Sequence, residues 1–321
     1  MLRRAWDRFW FTGFSVESLA MLRICFGIGL LFFHVTQFYT FFQLDLRGAH
    51  FYFMEPVWYF EPLGIERQHP VLVNAGFALL ELATLGMILG YRTRLSIALV
   101  IVLIFYLQGV RDSITGDVHH RYLVPFQMLF FLLLSKCGQA HSIDARRSPR
   151  VAQAGRAVPE WEASWPIKAM QVYCASFYFW SVLAKLRVTG WVWFTDPRRI
   201  QDLLLSRSLI WGATEAGEPA FNPLPYWLMQ QETLCRIIGL STFVMEAGFP
   251  LILLLPSPRA RLLFLLGVAF FHVSNTVLAY VGFGLFPIVF FIFFDLEQVR
   301  CRIAARFRRL TGAAPASDRP R

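Results

Sequence analysis

An all-α, polytopic membrane helix bundle is the fold this sequence predicts, and three observations carry the prediction. Apolar residues come in runs of about 20, the length that crosses about 30 Å of hydrocarbon as a helix. Of 321 residues only 16% are charged, against 56% hydrophobic, whereas a soluble domain carries about a quarter charged residues. The formal charge of +10 gathers in alternate loops, the bias that membrane insertion imposes. Nucleic acid is therefore not expected as a partner.

Eight spans follow in order: residues 19–39, 70–90, 94–110, a short one at 120–134, then 166–185, 234–255, 259–281 and 283–296. The sixth stops before Pro256, which lacks the N–H a helix needs. Only Val281-Gly-Phe-Gly284 divides the last two. Arg3, Arg4 and Arg8, Arg92 and Arg94, the loop from Lys136 to Lys168, Arg259 and Arg261, and the arginines from Arg300 onward fall on one side. Arg47, Arg67, Arg111, Arg121 and a few residues between Lys185 and Arg207 fall on the other. The larger basic set belongs inside, so both termini are expected in the cytoplasm. The expected organisation is a cytoplasmic segment at 1–17, a transmembrane domain at 18–298 and a basic tail at 299–321. The expected location is a bacterial cytoplasmic membrane. The first run is too long for a signal-peptide core and lacks a small-residue cleavage site, so it is read as a helix. On the outer side, the aromatic stretch 51–60 reads as an interfacial belt or a re-entrant piece over the bundle.

Nearly every span offers one polar face at helical spacing. The first aligns Arg23, Gly27, Leu30, His34 and Gln37; the second Asn74, Phe77, Glu81 and Thr84; the fourth His120, Val124, Gln127 and Phe131. The sixth aligns Gly239, Thr242 and Glu246, and the seventh carries His272 with Asn275 and Thr276. Ionisable groups at such depth are functional candidates, yet each also has a structural reading. Arg23 is expected to pair with Glu81 or Glu246, holding helices together without chemistry. His34 and Gln37 read equally as interhelical hydrogen-bonders, and His272 as a satisfied structural histidine.

The fifth span is different. Gln171, Cys174, Tyr178, Ser181 and Lys185 form a polar stripe on an otherwise apolar helix and end in an amine. Lys185 either snorkels from a helix end or, desolvated, serves as a base beside histidines able to pass a proton. His119 and His120 fall at the same expected depth. Adjacent histidines diverge on a helix and chelate poorly together. No His-x-x-x-His, Cys-x-x-Cys or phosphate loop occurs, so neither metal nor nucleotide is expected.

Several pieces in order then resemble a known family: Gly116-Asp-Val-His-His-Arg-Tyr-Leu123, Ser135-Lys-Cys-Gly138, His141-Ser-Ile-Asp-Ala145, Tyr178-Phe-Trp-Ser-Val-Leu-Ala-Lys-Leu186, Gly190-Trp-Val-Trp193, Glu246-Ala-Gly-Phe-Pro250 and Phe271-His272. Together they resemble the HTTM family, the horizontally transferred transmembrane domain shared with vitamin K-dependent gamma-carboxylase, from about Ser15 to Leu296. The resemblance implies that Lys185, in its Lys-Leu pair, deprotonates a vitamin K-type hydroquinone, a reduced quinone oxidised by oxygen. It implies that His120 acts in the carboxylation half. His119, Tyr178, Ser181 and His272 would then line the cavity for the lipophilic quinol, with membrane lipids around it and a peptide or protein as substrate. The large lumenal portion of the animal enzyme has no counterpart after Leu296. The rival expectation is a non-catalytic maturation or scaffold protein whose Lys185 holds an anionic headgroup. A transporter is the weaker third, since no internal repeat is evident.

Overall fold

The computed structural model describes residues 2–34, 51–115, 123–147, 158–211, 223–255, 257–279 and 286–311. In chain order it contains α1 (Leu2–Phe11), α2 (Val16–Phe33), β1 (Phe51–Tyr52), β2 (Arg67–Gln68), α3 (Pro70–Leu89), α4 (Thr93–Thr115) and α5 (Leu123–Leu134). It continues with α6 (Ile143–Arg147), α7 (Glu160–Thr189), α8 (Val192–Thr195), α9 (Pro197–Trp211), α10 (Pro223–Met229), α11 (Glu232–Gly248), α12 (Pro258–Ala279) and α13 (Leu296–Thr311). Among the described residues five segments are long and apolar enough to cross a membrane: α2, α3, α4, α11 with the 3-10 turn after it, and α12. α5 is apolar but shorter.

Three of the eight expected spans look different. The fifth begins six residues earlier and ends four later, as α7, because its polar stripe hides how far the helix runs. Its 30 residues measure about 45 Å. The eighth is a 3-10 helix, Phe286–Phe293, which reaches only about 16 Å. Its sequence there is Phe-Pro-Ile-Val-Phe-Phe-Ile-Phe. In the sixth, Pro250 has no N–H to donate, and the helix converts at Phe249–Leu254 into a 3-10 turn.

The chain divides into two units, residues 1–170 with 288–321 and residues 171–287, with α7 running through the boundary. In the first unit α3 packs against α4 and α2. Leu19, Leu22, Phe26 and Leu30 of α2 are buried at helical spacing, as are Ile97, Val100, Ile104 and Leu107 of α4. Pro70 opens α3, where the His69 ring accepts from the Val71 N–H. Gly90 closes it at φ 65°. The stretch 51–60 folds onto the end of α4: Met54 N–H donates to the Ser113 carbonyl, and the Tyr59 hydroxyl donates to the Phe105 carbonyl. Val57 and Phe60 are buried there, while Met54 and Trp58 stay exposed.

The same unit explains the His141-Ser-Ile-Asp144 motif. Asp144 accepts from the Arg92 N–H at 2.9 Å and from the Thr93 N–H and hydroxyl at 2.8 Å each, capping α4. Burial works against its carboxylate, but those bonds and the Arg23 charge overcome it, so its pKa falls below the ordinary 3.8. Arg23, fully buried, donates from Nη2 to the His141 carbonyl at 2.6 Å. The expected pairing of Arg23 with Glu81 or Glu246 is corrected here. Glu81 instead meets His34 Nδ1 at 3.1 Å, and Glu246 is engaged as described below. A guanidinium carries several N–H groups, and a carbonyl close by satisfies one without a second buried charge.

In the second unit α9 packs on α10 and α11, and α8 packs on α11. Ile200, Leu204, Leu228, Cys235 and Ala279 form its apolar cluster.

Candidate functional site

The second unit gathers the polar stripe of α7 with the polar residues of α11 and α12. Tyr178, Ser181 and Lys185 lie at steps of three and four, so one face of α7 presents all three. Glu246 projects from the last turn of α11, and His272 lies in the second half of α12.

The central contact is ionic. Lys185 Nζ lies 2.8 Å from Glu246 Oε1 and 2.7 Å from Oε2, and it donates to Ser181 Oγ at 2.7 Å. An ammonium has three N–H donors, and these three acceptors match them. Ser181 also donates to Glu246 Oε1 at 3.3 Å. Trp193 closes the other side, its ring centroid 5.1 Å from Nζ, in reach of a cation–π contact. It returns to the lysine because Gly190, at φ 65°, ends α7 and turns the chain into α8. The Lys185 side chain remains 21% exposed, so the pair is reachable from outside the fold. The amine is not at a helix end as the sequence indicated, since α7 continues one turn beyond it.

One to two turns back along the stripe, Tyr178 and His272 bond each other. The hydroxyl lies 2.6 Å from Nε2, and both side chains are buried. Phe249 stacks on Tyr178 with ring centroids 3.9 Å apart, and Phe286 meets it edge-on. This second pair is a hydrogen-bonded, aromatic-walled neighbour of the ion pair.

Of the sequence-derived candidates, the structure brings together Lys185, Ser181, Tyr178 and His272. It adds two that were not assigned to the site, Glu246 and Trp193. Glu246 had been read only as a structural partner. The signal that could have found it is that an intramembrane carboxylate requires a cation, and Lys185 was one of two candidates. His119 and His120 lie outside the described residues. Among the described residues no cluster of three or more His, Cys, Asp or Glu could hold a metal.

The arrangement can hold and exchange a proton among an amine, a carboxylate and a hydroxyl. It can also hydrogen-bond a polar group that displaces part of that network. Lys185, Ser181 and Trp193 bring an amine, a hydroxyl and a flat aromatic face together at one partly exposed place.

No curated protein and no solved structure matches this chain. The model of one family, the HTTM domain, matches residues 11–296. With the apolar helices and that match over most of its length, the chain is a multi-pass membrane protein and belongs to the HTTM family.

Proposed function

We propose that this protein is a membrane enzyme that uses a lipophilic hydroquinone, with the Lys185–Glu246 pair as its proton acceptor. The observation that carries the reading is the carboxylate held by both oxygens on a partly accessible lysine. A vitamin K-type hydroquinone, when bound, supplies reducing equivalents for oxygen and an acidic hydroxyl. The chain's own residues do the rest. Ser181 and Trp193 orient the ring. Lys185 Nζ passes a proton to Glu246 Oε2, with which it is hydrogen-bonded, and takes the hydroquinone proton in its place. The buried Tyr178–His272 pair keeps water out of the inner end.

Sharing the proton between amine and carboxylate refines the simpler expectation of a lone, neutral lysine. An isolated amine would face a costly charged state in hydrocarbon, and Glu246 offsets that cost. The resemblance to the gamma-carboxylase membrane domain supports an outcome of carboxylation, with His120 in the second half and a peptide or protein as substrate. We further propose that both termini lie in the cytoplasm and that the membrane is a bacterial inner membrane. The accessory reading, with Lys185 holding a lipid headgroup, is less favoured because Glu246 already neutralises the amine.

The test is oxidation of a reduced naphthoquinone by purified protein under oxygen, followed as epoxide or quinone. Lys185→Ala is expected to lose turnover. Lys185→Arg is expected to lose it as well, because a guanidinium does not surrender its proton. Full turnover by either variant overturns the reading.

A further inference from the structure

Helix α13 carries an apolar stripe that no other part of the described chain covers. Val299, Ile303, Phe307 and Leu310 recur at helical spacing and are 41%, 65%, 66% and 79% exposed. Arg302, Arg306 and Arg309 flank the stripe on one side, and Arg300 and Arg308 lie toward the other. The helix holds five arginines against one acidic residue, Glu297, which is tied to Arg300 at 2.5 and 2.8 Å.

Its start is fixed in depth. Asp295 accepts from the Gln298 N–H at 3.1 Å and from the Ser18 hydroxyl, and the Glu297 N–H donates to Ser18 Oγ at 3.3 Å. Ser18 lies in the first turn of α2, a helix apolar enough to cross the membrane. α13 therefore begins where α2 enters the hydrocarbon. At that same end α1 exposes Trp6 and carries Arg3, Arg4 and Arg8.

We propose that α13 lies flat in the headgroup layer of the membrane its own bundle crosses, as a binding surface for anionic phospholipid. A helix with a narrow apolar face and a strongly basic remainder is interfacial rather than spanning, and its arginines gain from negative headgroups. A second copy of the chain is the poorer occupant. Two such stripes meeting face to face would bring their flanking arginines together without countercharge.

The full-length protein in lipid vesicles tests this through a nitroxide label read by collision with oxygen and with a water-soluble nickel complex. Cys301 is exposed and faces away from the stripe, so a label there is the aqueous reference. The probe position is Ile303→Cys in a Cys301→Ser background. In phosphatidylglycerol-containing vesicles the label at 303 is expected to be at least about fivefold less accessible to nickel than the reference. That protection is expected to fall severalfold in phosphatidylcholine alone, or with Arg302, Arg306 and Arg309 all changed to Gln, while helix content is unchanged. Three outcomes overturn the proposal: nickel access at 303 equal to the reference, protection indifferent to lipid charge, or dipolar broadening between labels that marks a second copy.

Discussion

Lys185 and Arg23 are both cations on long helices, and the chain treats them in opposite ways. Arg23 is fully buried in a clasp closed by one backbone group, the His141 carbonyl, with Nε and Nη1 bonding nothing among the described residues. Lys185 is partly exposed and answered by a carboxylate through both oxygens. A guanidinium remains charged whatever surrounds it, so its burial serves architecture. An amine can give up its proton, and a carboxylate beside it can receive one. The difference separates the part of the family's motif set that builds the bundle from the part able to do chemistry.

The two glycines beside these cations give the sharpest way to break the comparison. Gly90 and Gly190 both sit at φ 65°. A Cβ at Gly90 would collide with Arg23 Nη1 and Ser142 Cβ, whereas one at Gly190 meets nothing within 4 Å. Gly90→Ala is therefore expected to cost about 3 kcal/mol or more in thermal unfolding, combining strain with overpacking. Gly190→Ala should cost only about 1 kcal/mol. Equal losses would mean that the clasp is not tight. Next in size, Glu246→Gln should lower quinol turnover per folded molecule about 100-fold, within the range for losing a positioned proton acceptor, and should also lower the unfolding temperature, because Lys185 loses its countercharge. A variant that unfolds and keeps its turnover per folded molecule would make Glu246 structural, like the Arg23 clasp.

Asp144→Asn tests the clasp by pH. Because the folded carboxyl has its pKa below 3.8, its contribution is present above that value and is lost as pH falls through the lower folded value. The variant should be about 1 kcal/mol less stable at neutral pH, a modest figure because the group is half-exposed. The gap between the two proteins should close in acid below 3.8. The smallest effect belongs to Trp193→Leu, which removes a cation–π contact of about 0.5–1 kcal/mol. It should weaken quinol binding, read as a raised KM with kcat nearly unchanged.

Much of this was legible in the sequence. The third span was expected at 94–110 and α4 occupies Thr93–Thr115; the second was expected at 70–90 and α3 occupies Pro70–Leu89. Periodicity also put Tyr178, Ser181 and Lys185 on one face, because a helix repeats every 3.6 residues whatever it packs against. What periodicity cannot give is the neighbour. Glu246 is 61 residues from Lys185, and a polar face names a direction but no partner. Trp193 depended on a single left-handed glycine, and an apolar run such as Phe286–Phe293 reads the same whether it coils as an α-helix or a 3-10 helix.

The length of α7 carries an electrical consequence. Lys185 lies four residues before its last residue, Thr189, a rise of about 6 Å. Moving one charge through the whole membrane potential is worth about 2.3 kcal/mol per 100 mV. With α7 proposed as a span, a proton exchanged near its end traverses only a small share of that drop. Turnover at the Lys185–Glu246 pair should then run at nearly the same rate in energised and de-energised vesicles, neither driven by the membrane voltage nor spending it.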